Sequence, residues 1–205
     1  MSKPSVPVAA TAAKRKSLAP LWAVFLVSLA PVVAAVLLYF NPQWMPTERT
    51  NYGTLLDPQV SVPPPDQLQL VTLAGEPFDL QAERGQWLLV MADGGACDEA
   101  CARKLFIMRQ THASTGKNVV RIERVWFITD QAPVSDTVRE AYEGTHMVRV
   151  QDTAQLRAFL GEAALDKHIW VIDPLNNLMM EFPEDPDPFR LRKDLGRLLF
   201  ASQVG

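Results

Sequence analysis

Apolar and polar positions divide the chain into one long apolar run, a proline-rich stretch and a series of short patterned segments. Residues 18–40 contain 23 consecutive positions without a charge. At about 1.5 Å of helical rise per residue, that length crosses a hydrocarbon core of about 30 Å. Trp22 near one end and Tyr39 and Trp44 near the other stand where an interfacial aromatic belt belongs. Pro31, inside the run, is of a type that membrane helices tolerate. Residues 41–65 carry Pro42, Pro46, Pro58 and the run Pro63, Pro64 and Pro65, which favour extended chain and predict a tether. Tyr52, Leu55 and Leu56 interrupt it with groups suited to packing.

Beyond the tether the period changes from segment to segment. Leu68 and Leu70 alternate with Gln67 and Gln69, and Phe78 and Leu80 alternate again after the turn residues Ala74, Gly75, Glu76 and Pro77, predicting a hairpin. The unbroken apolar run at 87–91 suits a central strand buried on both faces. Cys97, Cys101, Leu105, Met108 and His112 recur at spacings of three and four, which predicts a helix over about 98–114. Strands follow at 125–128 and 147–150, with a short helix through Val138 and Tyr142 between them. Thr153 begins a helix with Leu156 and Leu160 that stops near Gly161. A strand at 169–172, a turn at Asp173 and Pro174, and a strand at 178–182 form a hairpin. A last helix over about 188–200 buries Leu191, Leu195, Leu198 and Leu199.

Strands alternating with helices predict an α/β fold, a mixed sheet covered on both faces. The closing hairpin and helix give it the thioredoxin-like arrangement. The expected division is a basic N-terminus at 1–17, a transmembrane anchor at 18–40, a tether at 41–65 and a thioredoxin-like domain at 66–205.

Charge fixes the expected orientation. Residues 1–17 carry Lys3, Lys14, Arg15 and Lys16 and no acid, whereas the rest carries 16 basic and 23 acidic side chains, a net of −7. The positive cluster places the N-terminus in the cytoplasm and the domain on the far side of the membrane, the periplasm of a bacterial cell. The apolar run is longer than a signal-peptide core and no small-x-small cleavage site follows it, so the anchor is read as uncleaved. An acidic body offers no basic stripe for nucleic acid.

Two cysteines are too few for a disulfide-dense scaffold or a four-thiolate metal site. Cys97 and Cys101 stand between a predicted buried strand and a helix, where exposed N–H groups and the helix dipole favour thiolate. Such a pair can close a disulfide, exchange with another disulfide, pinch a soft metal ion or simply pack; Asp98 and Glu99 between them oppose thiolate formation. His112 lies fifteen residues after Cys97, about 22 Å along a helix, and is read as structural. His146 is read as a surface residue and the Met179–Met180 pair as hairpin filling. His168 stands at the mouth of a strand whose preceding loop lies beside the cysteine turn in thioredoxin topology, so Cys97, Cys101 and His168 form a candidate Cu(I) set. No proline occurs between Pro133 and Pro174, where thioredoxin-type oxidoreductases place a cis-proline against the disulfide. That absence counts against a general disulfide exchanger. No serine triad, phosphate loop, dinucleotide loop or zinc-protease helix is present.

These residues resemble the Sco/SenC family of cytochrome c oxidase assembly proteins, in a divergent branch. The resemblance covers about residues 66–202. It rests on the hairpin with Gly75, the strand from Gly85 to Met91, the Cys-x-x-x-Cys turn, Trp126 to Asp130 ahead of a variable loop, and the Ile172–Asp173–Pro174 turn. It implies a thioredoxin-like fold on one membrane helix, with copper held by the two cysteines and a distal histidine. The implied partner is cytochrome c oxidase subunit II, whose copper centre such proteins load or whose thiols they reduce. Where the family carries proline beside each cysteine this chain has Ala96 and Ala102. Leu165 occupies the usual histidine place, with His168 three residues on. Either His168 reaches the cysteines across a shorter loop, or the metal ligand is lost and the protein works as a thiol reductant. The expectation is a Cu(I) chaperone using Cys97, Cys101 and His168. The alternatives are a reductase in which Cys97 attacks and Cys101 resolves, and a non-catalytic assembly scaffold.

Overall fold

The computed structural model describes residues 18–41, 44, 51–161 and 164–202. The basic N-terminus expected at 1–17 lies outside the described residues, as does most of the tether between 42 and 50. The chain divides into two compact units, Met1–Arg49 and Thr50–Gly205.

The first unit contains helix α1, Ala19–Phe40, and its segment Pro20–Phe40 is long and apolar enough to cross a membrane. Pro20 lies in the first turn, where its missing N–H leaves no bond unmade. Asn41 closes the other end, its side-chain amide donating to the Leu37 carbonyl at 2.9 Å.

The second unit is built on eight strands: β1 Thr54–Ser61, β2 Leu70–Thr72, β3 Pro77–Phe78, β4 Trp87–Asp93, β5 Ile122–Ile128, β6 Thr145–Val150, β7 Ile169–Ile172 and β8 Asn177–Phe182. They form one sheet in the order β1-β8-β7-β4-β5-β6-β2-β3. The neighbours β4, β5 and β6 run parallel, and every other neighbouring pair is antiparallel. The helices are α2 Glu99–Ala113, α3 Asp136–Ala141, α4 Thr153–Leu160 and α5 Pro188–Ala201.

Strand β4 is central because its sequence cannot face water on either side. Trp87 through Ala92 are each at most 3% exposed. Alternation sends Leu88, Val90 and Ala92 into one core layer with Leu156, Phe159 and Leu160 of α4. Leu89 and Met91 enter the opposite layer, with Leu105 and Met108 of α2 and Leu191 and Leu195 of α5. The thioredoxin-like α/β arrangement expected from the pattern is the one observed.

One boundary is corrected. Residues 54–61, expected as tether, form edge strand β1, which pairs with β8 through Thr54↔Glu181 and Ser61↔Asn177. Prolines obscure it in the sequence, yet an edge strand tolerates them, and Pro58 lies where the register shifts between Leu55 and Val60. The strand is held at its start by Asp194 of α5, a carboxylate only 3% exposed. Asp194 accepts the backbone N–H groups of Tyr52 at 2.6 Å and Gly53 at 3.0 Å, and pairs with Arg197 at 3.3 Å. Gly53 leaves no room for a side chain, since a Cβ there would meet Met180 at 2.7 Å and Phe182 at 2.9 Å. The Tyr52 ring lies 6.2 Å from that of Phe182 and 4.3 Å beneath the Arg190 guanidinium. A smaller revision concerns Leu80, expected in a strand, which opens the 3-10 turn Leu80–Glu83 capped by Asp79.

Two consequences are testable. Asp194→Ala leaves two amide donors without an acceptor and should lower the unfolding free energy by about 3 kcal/mol in urea. The same change should speed proteolysis within 54–61. His112 sets a pH dependence. Its Nε2 donates toward the Val119 and Ile122 carbonyls, both at 3.1 Å. Burial, then repulsion from Arg124, holds its pKa below the ordinary 6.5 despite those carbonyls. The unfolded chain therefore binds the proton more readily. The contribution of His112 is complete above about pH 6.5 and is lost as pH falls through the lowered folded value. Resistance of the wild type to urea should fall between about pH 7.5 and pH 5 by more than that of His112→Gln.

Candidate functional site

The carboxyl end of β4 runs into the turn Gly94, Gly95, Ala96 and Cys97, and α2 begins two residues later. Asp98 is its N-cap, accepting the Cys101 N–H at 3.0 Å, as a short acidic side chain before a helical stripe should. Cys97 therefore lies just outside the helix, whereas Cys101 lies in its first turn. The two sulfurs form a disulfide, with Cα atoms 5.1 Å apart. Cys101 is fully buried and Cys97 half-buried, so Cys97 is the more exposed residue of the pair. Its φ of 46° falls in the left-handed region, which costs a residue with a Cβ roughly 1–2 kcal/mol.

Two carboxylates hold this turn. Asp93 Oδ1 accepts the Gly94 N–H at 2.8 Å, and Asp130 Oδ1, from the loop after β5, accepts those of Gly95 at 2.8 Å and Ala132 at 3.0 Å. Arg149 of β6 fastens the same loop by donating to the Asp130 carbonyl at 2.6 Å and the Ala132 carbonyl at 2.9 Å. The approach is close enough to require glycine: a Cβ on Gly95 would lie 2.2 Å from the Ala132 oxygen.

A buried cation lies one turn along α2 from Cys101. Lys104 is 4% exposed, and its Nζ pairs with Asp93 Oδ2 at 2.7 Å. It also donates to the carbonyls of Ala92, at 3.1 Å, and Asp166. Lys104 and Asp93 are absent from the sequence reading, and Asp130 enters it only as the end of the Trp126-to-Asp130 stretch. A lysine on the stripe of Cys101, Leu105 and Met108 was the available signal, because an apolar helix face rarely accepts an unpaired charge. Nearby, a cleft of about 140 Å³ is bordered by Ala100, Arg103, Lys104 and Asp166. Its rim is charged, with Lys167 on Glu184 at 2.9 Å and Arg103 on Asp185. Hydrogen bonding to Glu184 raises the Lys167 pKa, keeping a cation at this rim.

The expected third ligand lies elsewhere. The backbone of His168 is at the same end of the sheet, since its neighbour Ile169 pairs with Met91 of β4. Ile169 and Val171 enter the layer that contains Cys101, whereas Trp170 and Ile172 enter the other. His168 follows Trp170 by alternation, with ring centres 5.8 Å apart. Its Nδ1 is within 2.8 Å of the Phe182 carbonyl and 3.1 Å of Glu181 Oε1. Leu165 is 5% exposed and packs in the layer of Trp170. Among the described residues no three His, Cys, Asp or Glu side chains are arranged to hold a metal ion. In this disulfide form the two sulfurs are bonded to each other, and no three-donor copper site is assembled among the described residues. The other histidines are structural: His112 bonds two carbonyls, and His146 lies against Phe78 and 3.6 Å from Glu123. Met180 is buried beneath Gly53.

Solved structures share this architecture. The apo Sco1 protein of Thermus thermophilus is 17% identical, with a TM-score of 0.57 over 75% of this chain and 99% of its own. Yeast Sco1 with copper bound is 12% identical, with a TM-score of 0.54 over 72% of this chain and 96% of its own. A thiol:disulfide interchange protein from Bacteroides sp. is 14% identical, with a TM-score of 0.53 over 72% of this chain and 93% of its own. At these identities the likeness concerns the fold. No curated protein matches the sequence. Residues 87–202, from the central strand through α5, match the family described as "Transmembrane-like, thioredoxin-like, C-terminal domain". That match covers more than half of the 205 residues, and the chain belongs to this family.

Proposed function

We propose that the protein is a membrane-anchored thiol–disulfide oxidoreductase in which Cys97 attacks and Cys101 resolves. The supporting observation is the pairing of one partly exposed and one fully buried cysteine in a disulfide at a strand-to-helix turn. In the reduced protein the Cys97 thiolate attacks a client disulfide, forming a mixed disulfide and releasing one client thiolate. The Cys101 thiolate then attacks the Cys97 sulfur, which frees the second client thiolate and closes the Cys97–Cys101 bond. Two electrons pass to the client, and a second dithiol protein returns them. The N–H groups at the start of α2 favour the attacking thiolate, and Lys104 and the two glycine-binding carboxylates keep the turn in place.

The basic residues before α1 support a domain on the outer side of a bacterial cytoplasmic membrane, where clients are oxidised. Cysteines of cytochrome c oxidase subunit II are the client suggested by the resemblance to Sco proteins. Copper delivery is the competing reading, suggested by the same likeness. The absence of a three-donor cluster among the described residues argues against a His168-dependent site.

Full-length protein in detergent, reduced and mixed with a disulfide-containing peptide, tests the proposal. Cys97→Ser should lower exchange by about a hundredfold or more, Cys101→Ser should accumulate a mixed disulfide on Cys97, and His168→Ala should change the rate by less than about twofold. Exchange that survives Cys97→Ser would defeat it. Cu(I) titration of the reduced chain against a chelator separates the rival: affinity that falls in His168→Ala would favour the copper chaperone.

A further inference from the structure

Helix α5 carries a surface that the cysteine chemistry does not use. Its buried side holds Leu191, Asp194, Leu195 and Leu199. Its solvent side bears Phe189, Arg192, Lys193, Gly196 and Phe200, whose spacings of three and four place them on one stripe. Phe189 is 76% exposed and Phe200 93% exposed. The helix contains four cations, and its one acid, Asp194, is buried. Arg190 is turned toward Tyr52 and Arg197 toward Asp194, while Arg192, its guanidinium 5.3 Å from the centre of the Phe189 ring, and Lys193 lie between the two phenylalanines. An open groove of about 350 Å³ runs beside them, with Ser114, Thr115 and Asn118 on its other wall.

Exposed aromatic rings alternating with cations on one helix face are the composition of a helix that lies in a membrane interface. The stripe is basic although the chain beyond residue 17 is acidic overall, so it is suited to anionic headgroups. We infer that this stripe of α5 docks on the anionic phospholipid surface of the membrane that α1 spans. The phenylalanines enter the headgroup region, and Arg192 and Lys193 bind lipid phosphates. The inference rests on the anchoring reading of α1 and is independent of the cysteines.

Gly196 offers a labelling site within the stripe, since a Cβ there meets nothing within 4 Å. Full-length Gly196→Cys, with the native disulfide left oxidised, is labelled with bimane and placed in lipid nanodiscs containing nitroxide-headgroup lipid. Ala158→Cys, exposed on α4, is the control position. In discs containing phosphatidylglycerol, quenching at 196 should exceed that at 158 by about twofold or more. It should fall to the control level in phosphatidylcholine discs, and in phosphatidylglycerol discs after R192E with K193E or F189S with F200S. Equal quenching at the two positions, or quenching at 196 indifferent to lipid charge and to these changes, overturns the docking. A label at 196 shielded from aqueous quencher only when cell extract is added assigns the face to a protein partner and also overturns it. Failure of the chain to co-elute with the discs overturns the anchoring reading itself.

Discussion

A charge hidden from water has to be neutralised where it lies, and the Lys104 ammonium imposes that condition on three parts of the fold. Its partners are the Asp93 carboxylate and the Ala92 carbonyl at the end of β4, and the Asp166 carbonyl before β7. The first turns of α2, the central strand and the loop before β7 therefore share one cation. Removing one member of such a group leaves the others buried and unpaired, a loss of about 3–5 kcal/mol. The cysteine turn begins one residue after Asp93, so its position follows from this arrangement.

The turn is also tied sideways. Asp93 and Asp130 each take one glycine N–H, and Arg149 fixes the loop that supplies Asp130. Within this frame Cys97 adopts a backbone conformation usually left to glycine and asparagine, and its sulfur meets that of Cys101. The frame binds through backbone groups and leaves Cys97 partly exposed, as the proposed attack on a client disulfide requires. That division of labour suits a redox pair that has to open and close without rebuilding its surroundings.

Much of this was legible because burial writes its period into the sequence. The apolar run of β4 and the stripes of α2 and α5 specify elements that the structure reproduces within a residue or two. The same rule, followed one residue further, places His168 on the side of Trp170 rather than Ile169, where its ring lies 5.8 Å from the indole. Strand β1 was hidden because its identity depends on Asp194, 141 residues away from Gly53, and local composition reads its prolines as tether. Asp130 was hidden for the same reason: its role is a bond to Gly95, 35 residues away.

Both margins of the sheet end in strands that lack a regular row of donors. Strand β1 carries Pro58 and an irregular register, and β3 is two residues long and begins with Pro77. Each proline removes an N–H that an incoming strand would need. In the membrane-anchored protein proposed above, where neighbours in the bilayer plane meet far more often than in free solution, such margins would discourage sheet-to-sheet aggregation between copies and keep the domains separate at high surface density.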